Sequence, residues 1–513
     1  MSSFQTLIDA VASSFALKLA ITVSLLLLYP IGVFVRNIYF HPLSKFPGPK
    51  LWAASYIPYI KALLTGTLVK EHAEIHDKYG DVVRVGPNEI SFATDEAWRD
   101  IYEYRPGHKE TSKDPVWYIA PNGAPQNIVT TTDAKVHARM RKYLGNSFTD
   151  TALIDQRPTI EGYADLFISR LRDMSTAPET GGKGALVDMT DWINFFTVDV
   201  IGDLAFGEPF GCLQTSDYHP WVRTLFNFLK GMVFAASTRF YPWIASAMES
   251  LLPKSVMDLQ RQHTEFANEK INRRLNLQTN RPDFMTPFLK QNPDFKYMSK
   301  GEIESTFAII IVAGSETSAT VLCGILNQLT KNSNSLMTLE NVIRQRFRSE
   351  EEISIETTTN IPYLEAVIHE GLRLCNPVPG GLPRVVPQGG ETYAGYFLPG
   401  GTKLSIRPYV LNRSKKHFAA PYEFCPKRWM PTDQRPSKFA NDSLSVSKPF
   451  STGPTGCLGK SLAWAEMRLI LARLVWAFNI SVDPDRAVDW TKLRAMMTIE
   501  KQPMLVRLKI RPM

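Results

Sequence analysis

Cysteine is scarce in this chain. Five occur in 513 residues, Cys212, Cys323, Cys375, Cys425 and Cys457, and no two form a Cys-x-x-Cys pair. An odd, scattered set excludes a disulfide framework and a zinc site of the usual spacings, and it fits a body facing a reducing compartment. Runs of one charge are lacking as well. Lys and Arg exceed Asp and Glu by only 58 to 50, and the +8 balance is not gathered into basic clusters. That argues against a nucleic-acid partner and fits a basic face meeting an acidic protein or anionic lipid. There is no internal repeat, no low-complexity segment and no Gly-x-Gly-x-x-Gly following a strand. Repeat architectures and a built-in dinucleotide-binding unit are thereby excluded.

Apolar material is plentiful. Hydrophobic residues make up 44% and aromatics 11%, enough for one large core. The chain reads as a short N-terminal segment (1–18), a transmembrane anchor (19–35), a proline-rich connector (36–50) and one catalytic body (51–513). Between Leu19 and Val35 no residue is charged, and extending back to Ala10 adds only Lys18, whose stem can snorkel. That stretch meets the need of about 20 apolar residues for a hydrocarbon core. Arg36, Lys45 and Lys50 follow it, so the positive-inside rule puts the body on the cytoplasmic side. His41-Pro42-Leu43-Ser44-Lys45-Phe46-Pro47-Gly48-Pro49 reads as a stiff polar spacer that neither extends the helix nor joins a sheet.

Periodicity in the body is mostly helical, near 158–173, 187–206, 255–276, 301–330, 361–374 and 460–478. Val82-Val83-Arg84-Val85 and Glu89-Ile90-Ser91-Phe92 flank Gly86-Pro87-Asn88 as a hairpin, and strand-like pieces recur at 393–397, 403–406 and 503–510. The fold class expected is mainly α with a minor β portion.

The most informative stretch is Phe450-Ser451-Thr452-Gly453-Pro454-Thr455-Gly456-Cys457-Leu458-Gly459. Its glycines let backbone approach a flat ligand and turn amides toward a sulfur. Helical spacing begins at Leu458, so Cys457 is expected at a helix N-terminus, where the dipole favours a thiolate. A buried structural cysteine beside a Gly-rich turn is the plainer reading. Further upstream, Ala313-Gly314-Ser315-Glu316-Thr317-Ser318 lies inside an apolar helix. Thr317 can bond the carbonyl of Ala313 while Gly314 removes bulk, which predicts a local bulge. Glu370 and Arg373 stand at i and i+3 on another helix, and Phe424-Cys425-Pro426-Lys427-Arg428-Trp429 follows.

Together these segments resemble the cytochrome P450 family. Phe450, Gly453, Cys457 and Gly459 match its F-x-x-G-x-R-x-C-x-G haem signature, and Thr455 stands where the family carries an arginine. The 313–318 stretch resembles [AG]-G-x-[DE]-T-[ST], Glu370 to Arg373 matches E-x-x-R, and Phe424 to Trp429 matches F-x-P-x-R-[FW]. The order along the chain is the family's. The resemblance implies the P450 fold, with haem b between the Ala313–Thr317 helix and the cysteine loop. Cys457 is the implied axial ligand, Thr317 and Glu316 the implied proton carriers in dioxygen activation, and Ala313 and Gly314 the implied cofactor face. Glu370, Arg373 and Arg428 are the implied buried ion triad. For the haem propionates the candidates are Arg384, in Gly381-Leu382-Pro383-Arg384, and Arg141, with His137 or Arg139 sharing the task on a segment resembling W-x-x-x-R.

The implied activity is insertion of one oxygen atom from dioxygen into an apolar small molecule. The connector and Val83-Arg84-Val85-Gly86-Pro87-Asn88-Glu89 look most like fungal microsomal members of secondary metabolism, implying a terpenoid, polyketide or alkaloid intermediate. Electrons are expected from NADPH through a separate NADPH–cytochrome P450 reductase, with a b-type cytochrome as a further donor candidate. The expected home is the endoplasmic reticulum membrane, single-pass. Pocket walls are expected near Trp117–Val129, Phe226–Ala236, Phe307–Thr317, Val378–Leu382 and Ala495–Thr498. The alternative is a haem-thiolate isomerase or dehydratase that does not use dioxygen. A hydrolase with Cys457 as nucleophile is the other, and no partner motif accompanies it.

Overall fold

A computed structural model of the chain describes residues 28–512, except 121–123, 179–180, 252–253, 278 and 484–485, together with Lys18 and Thr22. Most of the expected anchor therefore lies outside the described residues. What is described of it, Thr22 and 28–35, is helical, and Leu28, Tyr29, Ile31, Phe34 and Val35 are exposed.

Six helices position the site. They are α1 (Ala134–Leu144), α2 (Asp150–Thr176), α3 (Met189–Phe206), α4 (Lys300–Lys331), α5 (Pro362–Leu374) and α6 (Lys460–Ala477). The strands are β1 (Val82–Gly86), β2 (Glu89–Phe92), β3 (Ser112–Lys113), β4 (Ala185–Asp188) and β5 (Arg384–Val385). They continue as β6 (Glu391–Tyr393), β7 (Tyr396–Leu398), β8 (Lys403–Ile406), β9 (Phe478–Ser481) and β10 (Leu505–Ile510). One sheet runs β1-β2-β8-β5-β3, with only β2 and β8 parallel; a second runs β4-β10-β9, and β6 pairs with β7. The mainly-α expectation holds, as does the hairpin of β1 and β2.

Local chemistry starts the helices where the sequence demands. Ser299 and Glu302 close a capping box at the head of α4, satisfying two amides that the first turn leaves open. Asp133 accepts from the amides of Lys135 and Val136 at the head of α1. Helix α4 is long and apolar enough to cross a membrane, yet most of it is buried inside the body. It packs along α3, all but wholly buried itself, and against α5, where a Cβ on Gly371 would come within 2.1 Å of Ile325. Bulk at either contact would separate the helices.

Two expectations are corrected. The piece 393–397 is not one strand: Ala394 (φ 46°) and Gly395 (φ 80°) take left-handed backbone and fold it into the β6–β7 hairpin. The connector is not a solvated spacer. Leu43 and Phe46 are buried in a core cluster, and the carbonyl of Pro47 accepts the Arg84 amide on β1 at 2.8 Å. The Arg84 guanidinium donates to the carbonyl of Asn37 at 2.8 Å, and the Asn37 amide donates to the carbonyl of Ala54 at 2.9 Å.

Helices α4 and α6 also meet through a buried polar pair, in which Glu466 hydrogen-bonds Ser318 and its Oε2 has no partner among the described residues. Burial pushes this carboxyl up to about 8. A folded value above the unfolded one means that the stability is fully present below the ordinary carboxylate range and drains away as pH rises toward 8. Glu466→Gln is therefore expected to match the parent near pH 5 and to exceed it at pH 8, by on the order of 3–5 kcal/mol. Thermal unfolding across that range checks it; a gap that does not widen with pH contradicts it.

Candidate active site

The cysteine loop is held by backbone. The Cys457 amide donates to the carbonyl of Phe450 at 2.8 Å, and the Gly456 amide to that of Gly453 at 3.0 Å. Gly453 sits at φ 70°, and a Cβ there would lie 2.1 Å from the carbonyl oxygen of Tyr102. Only glycine fits on both counts. Gly459 caps α6, so Cys457 lies two residues ahead of that helix end, and Phe450 packs against Trp464 on its first turns. From α1, Arg141 donates to the carbonyl of Gly456 at 2.7 Å, clamping the loop from its other side.

Cys457 is an exposed residue, yet enough protein surrounds its thiol for burial to dominate its titration. Both statements hold for a thiol facing an internal space. Burial raises its pKa, while the Gly459 amide, Arg141 and Lys460 pull it down less. A coordinated cation is what would deprotonate this sulfur outright. The other cysteines are free too, and burial pushes Cys212, Cys323 and Cys375 up to about 12.

Helix α4 has an accessible stripe. Ser305, Ile309, Ala313 and Thr317, four residues apart, are incompletely buried, whereas Ile303, Phe307, Ile311 and Ser315 are buried. The Thr317 hydroxyl donates to the carbonyl of Ala313 at 2.6 Å, as expected. The expected bulge is absent: α4 is α-helical throughout, because that bond forms without opening the ladder. Gly314 departs from its expected place on the cofactor face. A Cβ there would lie 2.5 Å from Ile201 of α3, so its small size serves helix packing. Glu316 has the base that its neighbourhood in sequence lacks: Lys501 Nζ lies 2.6 Å from its carboxylate.

Cations converge beside the loop. The register of β3 with β5 sets Lys113 opposite Arg384. Arg384 donates to the Thr455 hydroxyl at 2.8 Å and lies over the rings of Tyr102 and Tyr118. An arginine from the sheet thus occupies the neighbourhood of the loop position where the family's own arginine is missing. Lys113 Nζ donates to the carbonyls of Ile128 and Val129, both at 2.8 Å. Among the described residues no carboxylate pairs with Lys113, Arg141 or Arg384. Burial and then Arg384 push Lys113 down to about 7; burial, Lys113, Arg141 and Arg384 push His137 down to about 4. A buried cluster of like charge is costly unless an anion joins it, and a dianionic cofactor such as haem, with two propionates, fits this donor set. Lys113 was not legible in the sequence; only the strand register reveals it. Arg139 turns elsewhere, pairing with Glu302 at 2.6 Å.

Under the loop, Glu370, Arg373 and Arg428 come together fully buried, with Glu370 2.7 Å from Arg373 and 3.0 Å from Arg428. Trp429 Nε1 and the Cys425 amide also donate to Glu370, each at 2.8 Å, and Arg428 pairs with Asp442. Elsewhere in the body, Trp117 and Phe240 stand edge-on at 6.4 Å in a cluster with Val233, Met496 and Met497. This brings together parts of three expected pocket walls.

The cytochrome P450 family model matches residues 47–507. The chain is 41% identical to the cytochrome P450 monooxygenase astJ of Aspergillus oryzae, covering 92% of this chain and 93% of the relative. It is 38% identical to the trichothecene C-15 hydroxylase of Fusarium sporotrichioides (94% and 96%) and 36% identical to the averantin hydroxylase of Dothistroma septosporum (94% and 90%). These relatives are named for oxygen insertion, which sides with the monooxygenase reading over the isomerase or dehydratase one. A match over nearly the whole body, with relatives of that kinship and coverage, establishes the chain as a monooxygenase of the cytochrome P450 family.

Proposed function

We propose that the chain holds haem b through Cys457, that Arg141, Arg384, Lys113 and His137 would hold its propionates, and that it oxygenates an apolar secondary metabolite. The observation that carries this reading is the exposed Cys457, on a loop gripped by Arg141, beside the buried Lys113 and Arg384, none of these cations having a carboxylate partner among the described residues. Haem, when bound, supplies reductive activation of dioxygen. The chain's own residues do the rest. Thr317 spends its proton on the Ala313 carbonyl, leaving its oxygen free to accept from a water or an acid and orient it. Glu316, buried on the same turn, is the acid that passes protons inward. Trp117, Phe240, Val233, Met496 and Met497 exclude water and grip an apolar guest, the methionines adapting to its shape.

Trichothecene and averantin hydroxylases among the relatives support a fungal secondary metabolite as substrate class. Electrons come from NADPH through a separate cytochrome P450 reductase, a b-type cytochrome being a second donor. The exposed apolar helix at 28–35 supports a single-pass anchor in the endoplasmic reticulum membrane with the body in the cytoplasm.

The test is direct. A strain lacking the gene should accumulate a compound that the purified full chain, with reductase, NADPH and dioxygen, converts to an oxygenated product. Thr317→Ala should keep its haem yet form roughly tenfold less product per NADPH, the difference appearing as hydrogen peroxide. If the accumulated compound is not oxidised, the substrate reading fails; if Thr317→Ala stays fully coupled, the relay reading fails.

A further inference from the structure

Two consecutive residues near the C-terminus reach opposite elements. Lys501 Nζ lies 2.6 Å from the Glu316 carboxylate and 3.2 Å from the Thr320 hydroxyl on α4. Glu500, one residue earlier, pairs at 2.6 Å with Lys230 on the helix Pro220–Arg239. The backbone between them is fixed. The Glu500 amide donates to the carbonyl of Arg494 at 2.8 Å, the carbonyl of Gln502 accepts the Thr190 hydroxyl at 2.8 Å, and that of Met504 accepts the Met189 amide at 2.9 Å. Val233, on the same helix as Lys230, lines the apolar cluster with Trp117, Met496 and Met497. A guest in that cluster would press on the helix that carries Lys230.

The two pairs differ in strength. Lys230 is 57% exposed and Glu500 31%, so that contact is weak and easily exchanged for water. Lys501 and Glu316 are 6% and 11% exposed, so that contact persists unless a partner is removed. The exposed pair is the one able to change, and the buried pair is the one placed to respond.

We propose that Glu500 and Lys501 form a strut between the helix Pro220–Arg239 and α4, in which Lys501 is the positioning residue of Glu316. The strut makes the placement of that acid depend on how the pocket helix is seated. It rests on the relay role given above to Glu316.

The experiment uses the full haem-loaded chain with its reductase, NADPH and no added substrate. It reads dioxygen consumption, together with the Glu316 carboxyl band from infrared differences against Glu316→Gln. Lys501→Met should shift that band and slow dioxygen consumption about tenfold, and Lys501→Arg should restore most of both. Glu500→Gln, on the solvent side and safe for folding, should slow consumption about two- to threefold, with no further loss when added to Lys501→Met. An unchanged band and rate in Lys501→Met, or strictly additive effects of the two changes, overturns the strut. If Lys501→Met fails to load haem, Glu500→Gln decides: no slowing there sinks it. Should Glu316→Gln itself leave consumption unaltered, the relay reading falls first and takes the strut with it. If Glu316→Gln slows the reaction and Lys501→Met does not, the strut alone is wrong.

Discussion

Cys457→Ser is expected to lose the long-wavelength absorption band of the reduced, carbon monoxide-treated protein and all oxygen insertion, while melting at nearly the parent temperature. A serine oxygen remains protonated where a thiol is ionised by a coordinated cation, and it donates far less electron density. The fold should not notice. The loop is held by the Cys457 amide on Phe450, the Gly456 amide on Gly453 and the Arg141 clamp on Gly456, none of which uses the sulfur. Circular dichroism and thermal unfolding, set beside the absorption spectrum, separate the two effects. A surviving band in folded, pigmented Cys457→Ser protein would falsify the ligand assignment.

Removal of charge beneath the loop should do the opposite and destroy the fold with the function. Glu370 takes hydrogen bonds from Arg373 Nε (2.8 Å) and Nη2 (2.7 Å), Arg428 Nε (3.0 Å), the Cys425 amide and Trp429 Nε1 (both 2.8 Å). Arg373 also donates to the carbonyls of Asn412 and Pro421, each at 2.6 Å. Glu370→Gln leaves two buried guanidinium groups facing each other, and Arg373→Ala leaves a buried carboxylate with three of its five hydrogen bonds and one of its two arginines. Either costs about 3–5 kcal/mol, against a whole-domain stability of about 5–15 kcal/mol. Both variants are expected to accumulate as aggregated, haem-poor protein.

The same cluster sets an acid limit. Burial works to raise Glu370, but Arg373 and Arg428 outweigh it and hold the carboxyl below its ordinary range. A depressed folded value means that the stability is present above the unfolded carboxylate value and is lost as pH falls through the folded one. The parent should therefore resist mild acid and give way steeply below the ordinary carboxylate range. What remains soluble of Glu370→Gln should show a flatter acid limb. Equal acid limbs would mean that the cluster carries no such charge.

What was legible in the sequence shared a short segment. Cys457 with its glycines, Glu370 with Arg373 one helical turn on, and Thr317 with Ala313 are all local pairs, and spacing alone brings them together. What was missed joins distant segments. Lys113 meets Arg384 through the β3–β5 register, Lys501 meets Glu316 from the approach to β10, and Asp442 meets Arg428 from an irregular loop. No periodicity announces such meetings. The errors share another cause, which is that a residue's local option was taken for its tertiary choice. Gly314 allowed a bulge and was used for packing on Ile201; Arg139 sat beside Arg141 and went to Glu302.

The collar formed by Asn37, Leu43, Phe46 and Pro47 has a mechanical consequence. With Arg84 gripping both Asn37 and Pro47, the described helical stretch 28–35 is geared to the first strand of the sheet. Any change in the tilt of that stretch must be carried into the sheet, and along it to the strand bearing Arg384.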